Sequence, residues 1–258
     1  MFKNLIYFDS NKVAEYRAVL EGKKYVKINK VKVNSGKSLN AKVSVLSGGI
    51  SGSNEMEGEI VESLILDCNE FEGLLESNSK DNYFDFSQDE WEVETIPRTS
   101  IIRFEGDFRI PTEFDMMDLI NKGKPMLTSS MNIQNAQEEE LFNKIFAKES
   151  TKIPAFLECN KFEERVGFAK LNANNLCYEL EHLEDFEDEE VTVIAKVLSR
   201  KNITDKPIVV FDVMKDLFSL GRGIRRTMGK EEIEEIEDIQ SITSDKNIII
   251  LEVLAIYQ

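Results

Sequence analysis

LIYFDSNKVAEYRAVLEG, Leu5 to Gly22, is an apolar run that closes on an aspartate and passes at once into an amphipathic segment. Leu5, Ile6, Tyr7 and Phe8 put two aromatics in a short unbroken apolar stretch, the pattern of a buried strand. Asp9 or Ser10 then offers a side-chain oxygen to the free N–H groups of a first helical turn. Val13, Tyr16 and Leu20 recur at helical spacing, and Gly22 can take the left-handed backbone that ends a helix. The unit predicted is strand, cap, helix, stop. Farther on, IVVFD at Ile208 to Asp212, followed by VMKDLFSLG, echoes it over a short span.

Outward from this unit, strands dominate. Asn247 to Gln258, NIIILEVLAIYQ, is the most apolar run in the chain and reads as a buried central strand whose removal is costly. Val191 to Leu198, Ile153 to Leu157 and Val166 to Leu171 read as strands too, with Phe162 between the last two. Lys24 to Val33 and Leu39 to Leu46 alternate in the manner of lysine-studded edge strands. Asp89 to Val93 and Thr95 to Phe104 alternate as well. Glu105-Gly106-Asp107 has turn composition, so Ile101 to Ile110 is expected to form a hairpin bracketed by Pro97 and Pro111.

Helical spacing runs from Met56 to Ser77 through Ile60, Leu64, Cys68, Phe71, Leu74 and Leu75, with Gly58 and Gly73 marking ends or a break. Phe114 to Leu119 and Glu138 to Lys148 are further helical segments. Leu127 to Gln137 is rich in Ser, Asn, Gln and Met and suggests a boundary. An N-terminal subdomain over 1–126 then carries the lysine-rich strands, and a C-terminal one over 127–258 the acidic helices and terminal strand. The fold class expected is α+β, with largely antiparallel sheets and several short helices; a mixed α/β arrangement is the alternative.

The chain has 258 residues and a net charge of −16, divided unevenly. Met1 to Ile50 holds ten Lys or Arg against three Asp or Glu, while the remainder holds 22 against 45. Two such parts should attract; the lysines and acids read either as solvated faces of strands and helices or as a basic contact surface for another subunit's acidic face or a polyanion. The basic residues concerned are Lys23, Lys24, Lys27, Lys30, Lys32, Lys37 and Lys42. A second basic group, Arg222, Arg225, Arg226 and Lys230, lies among three glycines before the acidic EEIEEIED run; guanidinium groups there suit phosphate or carboxylate. A protein partner or self-association is therefore expected, with nucleic acid as the lesser possibility because an acidic chain repels it at long range. No apolar run is long enough to span a bilayer and the start is no secretory leader, so the expectation is a cytoplasmic protein without a membrane role.

Chemistry-bearing motifs are sparse. Asn34 to Ser38 ends like a phosphate loop, but Val31 stands where the motif needs its first glycine and strand-like alternation follows. Ser47 to Ser53, SGGISGS, reads as a loop or flap. Cys68, Cys159 and Cys177 are scattered and expected to act as small reduced hydrophobes. His182, the only histidine, sits in the acidic run Glu179 to Glu190, which lacks calcium-loop spacing and reads as a solvated face. No cofactor and no metal site is expected.

The IYFD opening with Val13, Tyr16 and Leu20-Glu21-Gly22, the GEIVESLILDCNEFEGLL segment, FEGDFRIP, VTVIAKVL and the terminal LAIYQ resemble a bacterial family known only as a domain of unknown function. The resemblance implies a cytoplasmic protein of a multi-component system such as phage defence, and no catalytic residue or cofactor. Three functions follow. The first is a non-enzymatic interaction or regulatory protein acting through charged surfaces. The second is a metal-dependent nuclease: Asp9, after a strand and before Ser10-Asn11, is similar to the opening of PIN-type nucleases, with Asp212 in the same local setting. The third is a nucleic-acid binder using Lys23 to Lys42 and Arg222 to Lys230.

Overall fold

The computed structural model describes residues 3–22, 55–78, 82–112, 114, 152–187, 189–212 and 241–258. Two compact units divide the chain, Ser10–Ser79 on one hand and Met1–Asp9 with Lys80–Gln258 on the other. In the first, α1 (Ser10–Leu20) follows the apolar strand directly and ends at Gly22, whose φ of 66° is the left-handed stop that the sequence calls for. α2 (Glu55–Asn78) matches the predicted helix but runs through both Gly58 and Gly73, which neither end nor break it. Space explains Gly73: a side chain there would meet nothing within 4 Å, so the glycine costs only its backbone entropy.

Val13 and Ala18 of α1 and Cys68, Phe71 and Leu75 of α2 are buried, and Arg17 forks onto Asp67 at 3.0 Å and Glu70 at 2.6 Å. Burial pushes the Asp67 carboxyl up, against the pull of the Arg17 guanidinium.

The larger unit is built on strands β1 (Leu5–Phe8), β2 (Tyr83–Asp85), β3 (Ile101–Arg109), β4 (Lys152–Glu158), β5 (Arg165–Asn172), β6 (Glu190–Lys201), β7 (Ile208–Phe211), β8 (Ile242–Ser244) and β9 (Asn247–Tyr257). Seven of them form one sheet in which β6 pairs with both β3 and β9, so the sheet closes on itself as the ring β3-β4-β5-β9-β6. Neighbours in the ring are antiparallel except β5 and β9, which are parallel. That order, with its single parallel pair, is the Greek-key connectivity of OB-fold barrels. The likeness concerns architecture alone. β1 adds to the end of β9 and β2 to the start of β3.

Alternation fixes which residues fill the barrel. Ile102, Phe104 and Phe108 of β3, Ile153, Ala155 and Leu157 of β4, and Val193, Ala195 and Val197 of β6 are completely buried. Large Phe104 and Phe108 alternate there with small residues such as Ala155 and Ala195, the way small barrels fill their interiors. Predicted strands over 153–157, 166–171, 191–198 and 247–258 all lie in this ring, and the predominance of antiparallel pairing agrees with the α+β expectation.

Several expectations change. Ile101 to Ile110 is no hairpin: β3 runs straight through Glu105-Gly106-Asp107. Gly106 serves close approach instead of a turn, since a Cβ there would lie 2.1 Å from the Glu158 carbonyl oxygen. Asp89–Val93 and residues 95–100 are irregular chain with bends and turns, so their alternation marks packing of Val93 and Ile96 and not a strand. Cys68 is buried as a small hydrophobe, but Cys177 is exposed. The boundary expected between 126 and 127 lies outside the described residues, and strands from both sides of it share the closed sheet.

Other readings also fall outside the described residues: the strands over 24–33 and 39–46, the 47–53 flap, and the segments over 115–119, 127–137 and 138–148. Among the described residues, no helix is long and apolar enough to cross a membrane.

Candidate functional site

Of the residues singled out from sequence, Lys23, Lys24, Lys27, Lys30, Lys32, Lys37, Lys42, Arg222, Arg225, Arg226 and Lys230 lie outside the described residues. Asp9 and Asp212 are both half-buried. Asp9 follows β1 of the closed sheet, its N–H donating to the Leu254 carbonyl at 2.9 Å, whereas Asp212 follows β7 of a separate two-stranded ribbon. Among the described residues, no group of three or more His, Cys, Asp or Glu side chains is arranged to hold a metal ion.

What the fold does bring together is the outer face of β4 and β5. Inward positions alternate with outward ones, so Phe156 and Phe168, cross-strand partners, stand side by side on the outside with ring centroids 5.3 Å apart. Arg109, the partner of Phe156 on β3, lays its guanidinium 5.5 Å from that ring and pairs with Glu158 at 3.6 Å. Exposed aromatics in this position would be a binding platform, yet Phe168 is completely buried and Phe156 nearly so. The ribbon of β7 and β8 covers them: Phe211 of β7 receives the Lys170 ammonium of β5 at 5.6 Å, and Ile242 of β8 shares a cleft with Phe156 and Val166. Val210, Phe211 and Ile242 thereby join the same continuous core as the barrel interior.

Two connections of the chain begin and end here. One departs after β3 at Arg109 and returns at β4; its Phe114 meets Phe211 edge-on at 5.7 Å. The other spans 213–240, contains the arginine-rich sequence, and departs and returns at Phe211 and Ile242, which are register partners in the ribbon. Between ribbon and barrel lies a cleft of about 210 Å³, with Arg109, Glu158, Asp245 and Lys246 at its polar rim and Phe156 and Val166 beneath. Its charges balance, two basic against two acidic.

A second cleft of similar size is bordered by Glu105, Asp107, Glu158 and Glu190 together with Lys161 and Cys159. Burial pushes the Cys159 thiol up, away from the thiolate a nucleophile requires. Sequence reasoning missed the covered face because Phe156, Phe168 and Arg109 read only as ordinary strand positions. The echo of IYFD in IVVFD was the one signal near it.

The chain belongs to the family described as Domain of unknown function (DUF6414), which matches residues 2–257. No curated protein and no solved structure matches it.

Proposed function

We propose that the chain is a non-enzymatic interaction protein of a multi-component bacterial system, docking protein surface against protein surface through complementary charge. The observation that carries this reading is the covered face. The side on which OB-type barrels receive extended ligands is closed by the chain's own ribbon. The arginine-rich 213–240 segment is rooted on that ribbon at Phe211 and Ile242.

Nucleic-acid binding through Lys23 to Lys42 and Arg222 to Lys230 receives less support, because stacking aromatics on the face are buried and base stacking needs them open. The uneven charge supplies the attraction, with the surplus of Lys and Arg in Met1 to Ile50 facing the acidic remainder of another copy.

Light scattering of the full chain across salt concentrations tests the reading. At low salt the mass exceeds the 29.6 kDa of one chain, and it falls toward that value as salt rises to about 1 M, where screening acts within about 3 Å. A mass of one chain at every concentration and salt level, with no partner retained in pull-downs, contradicts it.

A further inference from the structure

Four charged side chains line the cleft between β8 and the barrel, and they come from three stretches of chain. Arg109 ends β3, Glu158 ends β4, and Asp245 and Lys246 form the turn that joins β8 to β9. The Phe156 ring supports Arg109, with its centroid 5.5 Å from the guanidinium carbon. Arg109 Nη2 lies 3.6 Å from the Glu158 carboxylate, too far for a hydrogen bond. Half-exposed pairs of this kind contribute little, so both groups can take a new partner at small cost.

The turn is pinned locally. The buried Ser244 hydroxyl accepts from the Lys246 N–H at 3.1 Å and donates to the Lys246 carbonyl at 3.2 Å. Among the described residues, the four charged side chains make the Arg109–Glu158 pair and the Phe156 contact and no hydrogen bond.

Two positive charges thus stand against two negative ones inside one cleft. Glu158 also borders the second cleft, where Glu105, Asp107 and Glu190 outnumber Lys161, so the surroundings beyond Glu158 are negative. An anion gains little from such a site, and a simple cation meets Arg109 and Lys246. A ligand carrying both charges a short distance apart satisfies both kinds of group. Volume sets its size: about 210 Å³ is below the roughly 300 to 1,000 Å³ of sites for drug-sized molecules. Beneath the charges, Phe156, Val166 and Ile242 form an apolar floor.

We propose that this cleft binds a free α-amino acid, its carboxylate on the Arg109 guanidinium, its ammonium toward Glu158 and Asp245, and its side chain over Val166 and Ile242. A guanidinium fork matches a carboxylate, and charge-assisted hydrogen bonds are the stronger kind. Ribbon and barrel belong to the same compact unit, and each supplies one wall, so an occupied site ties the ribbon down. The site goes beyond the docking reading and does not depend on it.

Thermal unfolding of the full chain with each of the common amino acids in turn, against sodium chloride at matched ionic strength, tests it. The expected result is a higher unfolding temperature with at least one amino acid. The matching amine without the carboxylate and the matching acid without the ammonium give no increase; for valine these are isobutylamine and 3-methylbutanoate. By titration calorimetry, Arg109→Gln and Asp245→Asn each lower the affinity about tenfold or more, and Arg109→Lys recovers part of the loss. Asp245 is exposed and makes no described side-chain contact, so its variant reads binding without disturbing the Phe156 contact. Amide exchange in β7 and β8 slows with the amino acid bound. No increase over chloride with any amino acid, an increase matched by the amine or the acid alone, or an affinity unchanged in both Arg109→Gln and Asp245→Asn overturns the proposal.

Discussion

β9 and the β7–β8 ribbon are both short runs of mainly apolar sequence, yet they are held in opposite ways. β9 is paired with β6 along one edge and with β5 and then β1 along the other. β7 and β8 pair only with each other and rest on the barrel through side chains, chiefly Val210, Phe211 and Ile242. On the outward side Val209 is 52% exposed. A strand bonded on both edges cannot leave without unfolding the sheet, whereas a ribbon anchored by a few side chains can open by itself. The barrel is therefore a frame, and the ribbon is expected to open at a lower free energy than the barrel does.

Ending the chain after Lys246 makes the largest break in that comparison. It removes β9, the partner of three strands, and the expected result is loss of any cooperative unfolding transition in chemical denaturation. A folded, cooperatively unfolding remnant would mean that β9 is not the centre of the frame.

Phe104→Ala and Phe211→Ala sharpen the comparison, since both side chains are completely buried but one fills the barrel and the other the ribbon contact. Phe104→Ala is expected to cost about 4 kcal/mol of global stability. Phe211→Ala is expected to cost less and to accelerate amide exchange in β7 and β8 while β9 keeps its protection. Equal loss of protection in both regions would merge ribbon and barrel into one cooperative body.

A smaller effect belongs to the frame alone. Tyr7 of β1 is buried, and its hydroxyl accepts from the Asn175 side chain at 3.3 Å. Burial, opposed by that hydrogen bond, pushes its pKa up to about 12 from 10.0. The folded protein therefore favours the neutral phenol. Stability on the order of 2 to 3 kcal/mol is present below about pH 10 and lost as pH rises through about 12. Denaturation measured between these values should show the loss, and Tyr7→Phe should remove it.

The frame was largely legible from sequence because its strands announce themselves locally: NIIILEVLAIY, VTVIAKVL and the run from Ile153 to Leu157 need no partner to be read. Closure was not legible, because it depends on β6 meeting both β3 and β9, strands distant in the chain. Glu105-Gly106-Asp107 misled for a physical reason. Glycine permits a turn and also permits close backbone approach, and only the Glu158 carbonyl decides between the two. Arg109, Glu158, Asp245 and Lys246 likewise carry no common motif; the approach of ribbon and barrel assembles them.

Docking through the arginines of 213–240 and the N-terminal lysines makes assembly depend on those charges. Light scattering at low salt would compare the unmodified chain with a variant carrying Arg222→Ala, Arg225→Ala, Arg226→Ala and Lys230→Ala together. The expected result is an assembled mass for the first and a mass near 29.6 kDa for the second, with equal unfolding stability. An assembled mass unchanged by the four substitutions, or a single-chain mass for both, would contradict it.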